Sequence, residues 1–244
     1  MIGWKFEMIN QVIMLSLTHT LKQIPNSKWI IIFVHWLTSD QDEEIFVQWE
    51  KFFNENWFST IRFSLYWDLP NERKLTETIL QDNIDDTNTV IKYVKDLWFK
   101  KIFLVWHSYG CLSNLFTDLS DVSWLIMRDP SMAGEMLLSD VYEDEDWYFI
   151  DWWDWNKHRI GEKYYQDFQT DPQTYLDQIS KIHIPVKIFW AENWLAENAR
   201  LYFDSANEPK SLTVISGAYH RFQWGWAEEL LSESLRWIET HHSR

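Results

Sequence analysis

The chain has 244 residues, a formal net charge of −15, a sequence pI near 4.9 and a hydrophobic share of 46%, a globular composition that excludes a disordered chain and can bury one sizeable core. With 22 basic residues against 37 acidic ones, it lacks the cationic footprint that neutralises phosphates, so neither nucleic acid nor an anionic membrane is expected as partner. One cysteine excludes an internal disulfide, and 18 tryptophans stand beside only 6 glycines, where roughly 17 glycines are ordinary for this length.

The opening MIGWKFEMINQVIMLSL has neither the basic start nor the small-residue cleavage site of a secretory leader, and Thr18 and His19 interrupt the apolar stretch too soon for a bilayer span, so a cytoplasmic protein is expected. Phe6 to Leu17 is a candidate antiparallel edge strand. From there, short apolar runs alternate with amphipathic ones. Trp29–Val34, Ile61–Leu65, Ile102–Trp106, Trp124–Met127, Pro185–Phe189 and Ser211–Ile215 read as buried strands. Helical spacing is found over Asp42–Asn54, Leu75–Leu97, Leu112–Leu119, Ala196–Ser205 and Ala227–Thr240. Such alternation predicts an α/β domain over 1–244, with a mainly parallel sheet and helices on both faces. Ser131 to Ile182 breaks the rhythm with acids and aromatics and few strand signals; it is too long for a plain connection and reads as a lid or cap.

Three strings carry chemistry. In Lys100–Ser113, KKIFLVWHSYGCLS, a buried strand runs into His107-Ser108-Tyr109-Gly110 and then a helix, the setting of a nucleophile elbow with Ser108 at its apex. The first glycine of G-x-S-x-G is Trp106 here. Upstream, IIIFV ends in His35-Trp36-Leu37. Downstream, SLTVI leads into Ser216-Gly217-Ala218-Tyr219-His220-Arg221-Phe222.

In this order and at these strand ends, the strings resemble the α/β-hydrolase superfamily, in particular serine esterases similar to acylglycerol lipases or cinnamoyl esterases with a cap insertion after the sixth core strand, from about Ile30 to Ile238. Two weaker matches agree: Arg62 to Trp67, where members often have R-x-x-x-x-G, and Ile184 to Asn193, where they have I-P-V and a strand ending in G-x-x-D. The resemblance implies hydrolysis of a small carboxylic ester through an acyl-enzyme, with no cofactor. It makes Ser108 the nucleophile and His220 the general base, and the amides of Leu37 and Tyr109 the oxyanion hole. The acid is the weak member. The family aspartate falls on Asn193, which carries no charge; Glu192 next door is the first substitute, Asp129 after the strand WLIM the second, and Asn193 itself the third, orienting His220 in an enzyme of low activity. A silent relative that binds a small ligand is the competing reading.

Blander roles suit the other candidates. His35 and His107 brace the two loops from behind, Cys111 is a small buried residue, Glu143–Asp146 is a solvated face, and no His/Cys/Asp spacing suggests a metal. The tryptophans are different. Trp36, Trp67, Trp106, Trp190 and Trp194 occupy family glycine positions, and Trp98 falls at a helix end where glycine is expected. We read many of them as glycines of the source organism, with UGA codons translated by a table that does not apply to it, and Trp237 as a genuine tryptophan. UGG codons at Trp36, Trp106 and Trp190 would exclude this.

Overall fold

Residues whose side chains alternate between two apolar faces can only be satisfied inside a sheet covered on both sides. Trp29–Val34 (β2) has this character: Ile30, Ile32 and Val34 enter one core cluster, and Ile31 and Phe33 the other. In the computed structural model, which describes residues 17–66, 73–133, 141–144, 147–151, 157–194, 196–223 and 225–241, β2 lies inside a sheet of seven strands. The others are His19–Lys22 (β1), Ser59–Phe63 (β3), Lys101–His107 (β4), Trp124–Arg128 (β5), Val186–Ala191 (β9) and Lys210–Ile215 (β10), in the order β1-β3-β2-β4-β5-β9-β10. All pairings are parallel except that of β1 with β3. The antiparallel edge strand thus exists, but on His19–Lys22; most of the segment expected to form it lies outside the described residues, as do Trp67, Trp152, Trp153 and Trp155.

Helices cover both faces. Glu44–Glu55 (α1) buries Ile45, Phe46, Trp49 and Phe53 at helical spacing, and Gly225–His241 (α7) buries Leu230, Leu231 and Ile238 beside them. Leu80–Asp96 (α2) and Ala196–Ser205 (α6) pack against the opposite face, through Val90, Ile91 and Val94 and through Ala199 and Tyr202. A short helix, Gly110–Asn114 (α3), follows β4.

Between β5 and β9 the chain builds a second, antiparallel sheet of Val141–Asp144 (β6), Trp147–Asp151 (β7) and Lys157–Ile160 (β8), then helices Glu162–Phe168 (α4) and Pro172–Ile179 (α5). The acidic composition conceals these strands from a periodicity reading, because their carboxylates sit among the aromatic and β-branched residues that favour pleated structure. Pro172 at the first turn of α5 and Asp171, whose carboxylate accepts the Gln173 N–H at 2.9 Å, start that helix.

Two helix ends bear on the tryptophans. After α1, the Phe58 N–H bonds to Phe53 O and the Trp57 N–H to Asn54 O; after α2, the Phe99 N–H bonds to Val94 O and the Trp98 N–H to Lys95 O. Both are Schellman motifs, whose C′ residue must be left-handed and is usually glycine. Trp57 and Trp98 hold that position, each at φ 69°, and the two residues are 70% and 87% exposed. Little packing therefore compensates the backbone strain.

Candidate active site

Ser108 leaves β4 at φ 52°, a conformation that a non-glycine residue adopts only when its surroundings impose it. Here they do. Its N–H donates to Arg128 O at 3.0 Å, and its carbonyl accepts the N–H groups of Cys111 (3.0 Å) and Ser131 (3.3 Å). Gly110 explains the second glycine of the motif: a Cβ there would meet His35 O at 2.7 Å and Val34 O at 3.2 Å, both rigid backbone. Trp106, at the first glycine position, is fully buried with no partner for its Nε1. Trp237 Nε1 is likewise buried without a partner.

The C-terminal ends of neighbouring strands lie side by side, with His107 opposite Arg128 and Ala191 opposite Ile215. That register brings the residues just past β4, β5 and β10 together at one sheet edge. His220 is 5% exposed, and its Nδ1 lies 2.5 Å from Asp129 Oδ2. The Asp129 carboxylate is fully buried, and its Oδ1 accepts the Ala191 N–H at 3.1 Å. At φ 44°, with its own N–H on Phe189 O at 2.8 Å, Asp129 is fixed at every atom that matters.

The preference for Glu192 is therefore corrected. Glu192 is exposed, and its Oε2 accepts the Ser216 hydroxyl at 2.8 Å and the Gly217 N–H at 2.7 Å; that backbone bond first, then the hydroxyl, holds its pKa below the usual carboxylate range. Asn193 donates its Nδ2 to Gly217 O at 3.0 Å and its N–H to Ala218 O at 3.0 Å. Both side chains brace the loop that carries His220 instead of touching its ring. Gly217 turns that loop at φ +71°.

Leu37 and Tyr109 are 1% and 2% exposed, and among the described residues neither N–H has an acceptor. Buried amide N–H groups rarely stay unpaired; Tyr109 directly follows Ser108, and Leu37 lies three residues past the end of β2, the strand beside β4. The loop bearing Leu37 is held from behind. His35 donates from Nδ1 to Trp36 O (2.8 Å) and accepts the Leu65 N–H at Nε2 (3.0 Å), and the Tyr66 hydroxyl takes the Thr38 N–H at 2.8 Å. Burial pulls the His35 pKa down to about 4. His107, fully buried with its ring 4.9 Å from that of His220, is pushed well below its ordinary value, first by burial and then by the charges of His220, Arg128 and Arg221. It stands as a neutral wall behind His220. Tyr109 in turn packs edge-on against Tyr164 (5.4 Å) and Phe168 (5.3 Å) of α4, so the inserted segment rests on the residue that follows Ser108.

No protein-family model matches the sequence, and no curated protein matches it. Solved structures do. Est1E from Butyrivibrio proteoclasticus with ferulic acid bound superposes at a TM-score of 0.78, covering 93% of this chain and 96% of its own at 20% identity. The alpha/beta hydrolase GrgF from Penicillium sp. sh18 superposes at 0.74, covering 93% and 95% at 15% identity. The chain has the α/β-hydrolase fold. A monoacylglycerol lipase from Paleococcus ferrophilus, at 0.71 and 16% identity over 93% of this chain and all of its own, shares it. Within the α/β-hydrolase frame, sequence reasoning put Ser108 and Tyr109 after β4, Leu37 after β2 and His220 after β10, and the structure has those strands there. It undervalued Asp129 and passed over Ser131, although the string Asp129-Pro130-Ser131 directly after a buried strand marked both.

Proposed function

We propose that the protein is a serine hydrolase that cleaves a small carboxylic ester through an acyl-enzyme. The observation that carries this reading is the buried Asp129–His220 pair, 2.5 Å apart, at the same sheet edge as a serine in the strained left-handed turn of an elbow. In this scheme Ser108 Oγ attacks the ester carbonyl and gives its proton to His220 Nε2. Asp129 fixes the ring with Nδ1–H toward it and stabilises the imidazolium. The Leu37 and Tyr109 N–H groups bind the oxyanion. His220 then returns the proton to the leaving alcohol, and water repeats the sequence on the acyl group, so the reaction balances without a cofactor.

The neighbours agree in chemistry: one holds ferulic acid, a carboxylic acid, and another is a monoacylglycerol lipase. Residues 131–182 then act as the cap that selects the ester, with Tyr164 and Phe168 as its contacts to the elbow. The buried, unpaired Cys111 and the net charge of −15 suit a cytoplasmic enzyme acting on a small molecule. No described helix is long and apolar enough to cross a membrane.

Covalent labelling tests the scheme. A fluorophosphonate is expected to modify the full chain at Ser108, identified by peptide mass, and Ser108→Ala and His220→Ala are expected to abolish both labelling and turnover of a p-nitrophenyl ester. Absent labelling of the unaltered chain sinks the enzyme reading in favour of a silent, ligand-binding relative.

A further inference from the structure

Ser131 contributes a feature that the hydrolytic scheme does not use. Its hydroxyl lies 3.1 Å from Ser108 Oγ, and it is 3% exposed. Among the described residues this is the hydrogen bond that the Ser108 hydroxyl makes. Holding the loop does not require it. The Ser131 N–H already donates to Ser108 O at 3.3 Å, and the Ser131 carbonyl accepts the Tyr202 hydroxyl at 3.0 Å. A serine whose backbone is tied at both ends, and whose hydroxyl is aimed at the nucleophile, has a side chain left for chemistry.

The direction of the bond follows from the rest of the site. In the neutral imidazole with Nδ1–H directed to Asp129, Nε2 is the acceptor. The Ser108 proton goes there during attack, so before that transfer Ser131 Oγ–H is, among the described residues, the side-chain donor placed on Ser108 Oγ. On these grounds, and resting on the serine-hydrolase reading above, we infer that Ser131 Oγ–H donates to Ser108 Oγ and stabilises the negative charge that builds on it as the proton passes to His220 Nε2, before the forming Oγ–carbonyl carbon bond moves that charge onto the carbonyl oxygen. Ser131 keeps its own proton throughout. It also sets the rotamer from which Ser108 starts. The bond strengthens as charge develops, which makes it a transition-state interaction and not a uniform binding contact.

The test compares fluorophosphonate labelling rates of the full chain with those of Ser131→Ala, Ser131→Thr and Tyr202→Phe. A hydrogen bond to a developing charge accounts for about a tenfold change in rate. S131A is expected to label about tenfold more slowly with an unchanged melt, and S131T, which keeps a hydroxyl, within about threefold of the parent. Y202F releases the same loop while leaving the Ser131 hydroxyl in place; it is expected to lower the melting temperature and leave the labelling rate near that of the parent. Equal rates for S131A and the parent overturn the inference, as does a Y202F chain slowed as much as S131A, which would make the loop and not the hydroxyl responsible. If S131A does not fold, Ser131→Cys takes its place with a weaker donor of similar size, and a parental rate there is equally fatal. A parent chain that is not labelled at all overturns the hydrolase reading and this inference together, whereas a labelled parent with an indifferent Ser131 overturns this inference alone.

Discussion

At the residue scale, the choice between Asp129 and Glu192 turns on where a strand end aims its side chain. Both follow buried strands, and both are acidic. Asp129 is rotated inward by a left-handed backbone at φ 44°, while Glu192 continues outward and is used by Ser216 and Gly217. Asp129→Asn is expected to lower kcat by roughly three to four orders of magnitude, because an amide cannot stabilise the imidazolium and favours the wrong tautomer. Glu192→Gln keeps an acceptor for the same loop and is expected to stay within about twofold of the parent. Ester hydrolysis by the two variants distinguishes them, and a reversed order would return Glu192 to the triad. The tryptophans are decided at the same scale. Trp57→Gly and Trp98→Gly each remove a side chain from a left-handed C′ position and are expected to raise the unfolding free energy by about 1 kcal/mol, read by urea titration. Trp237→Gly, in the interior of α7, is expected to lower it by about 1 kcal/mol or more.

At the element scale, the inserted segment is docked and not merely tethered. Asp167 of α4 accepts the Leu80 N–H at the start of α2 (2.8 Å), and the Tyr164 hydroxyl accepts Asn83 Nδ2 at 2.9 Å. Gly161, just before α4, passes so close to the turn Leu75–Glu77 that a Cβ would stand 2.3 Å from Thr76 O. Backbone faces backbone there, so neither side can yield cheaply. Gly161→Ala is expected to destabilise the chain by about 2 kcal/mol or more and, on the proposed scheme, to raise KM for the p-nitrophenyl ester more than it lowers kcat, because it displaces the segment packed on Tyr109 and not Ser108, Asp129 or His220. A kcat loss at constant KM would show that the insertion supports catalysis instead. The composition of 131–182 reveals an insertion but not this docking, since the contacts join positions such as Leu80 and Asp167 that lie far apart in the chain.

At the scale of the whole molecule, buried histidines link stability to acid. His35 titrates near 4 in the folded chain against 6.5 when exposed, and His107 is shifted the same way. Above about pH 6.5 neither state takes a proton at His35; below it only the unfolded chain does. Folding stability is thus full at neutral pH and falls as the pH drops from about 6.5 toward 4, by about 3 kcal/mol for His35 alone. Urea titrations at about pH 7 and pH 5 measure this slope, and His35→Gln is expected to flatten it; an unchanged slope would assign the proton uptake to other groups. The amino-acid sequence by itself determined the alternation of buried strands and amphipathic helices, hence the parallel sheet, and it marked Ser108, His220, Leu37 and Tyr109 as candidates, because the strings that hold them are local. Tertiary structure alone decided the carboxylate that meets His220, the partner of the Ser108 hydroxyl and the left-handed tryptophan at position 57. Each depends on a backbone rotation, or on a meeting between residues from different strands, and neither is written in the spacing of any single segment.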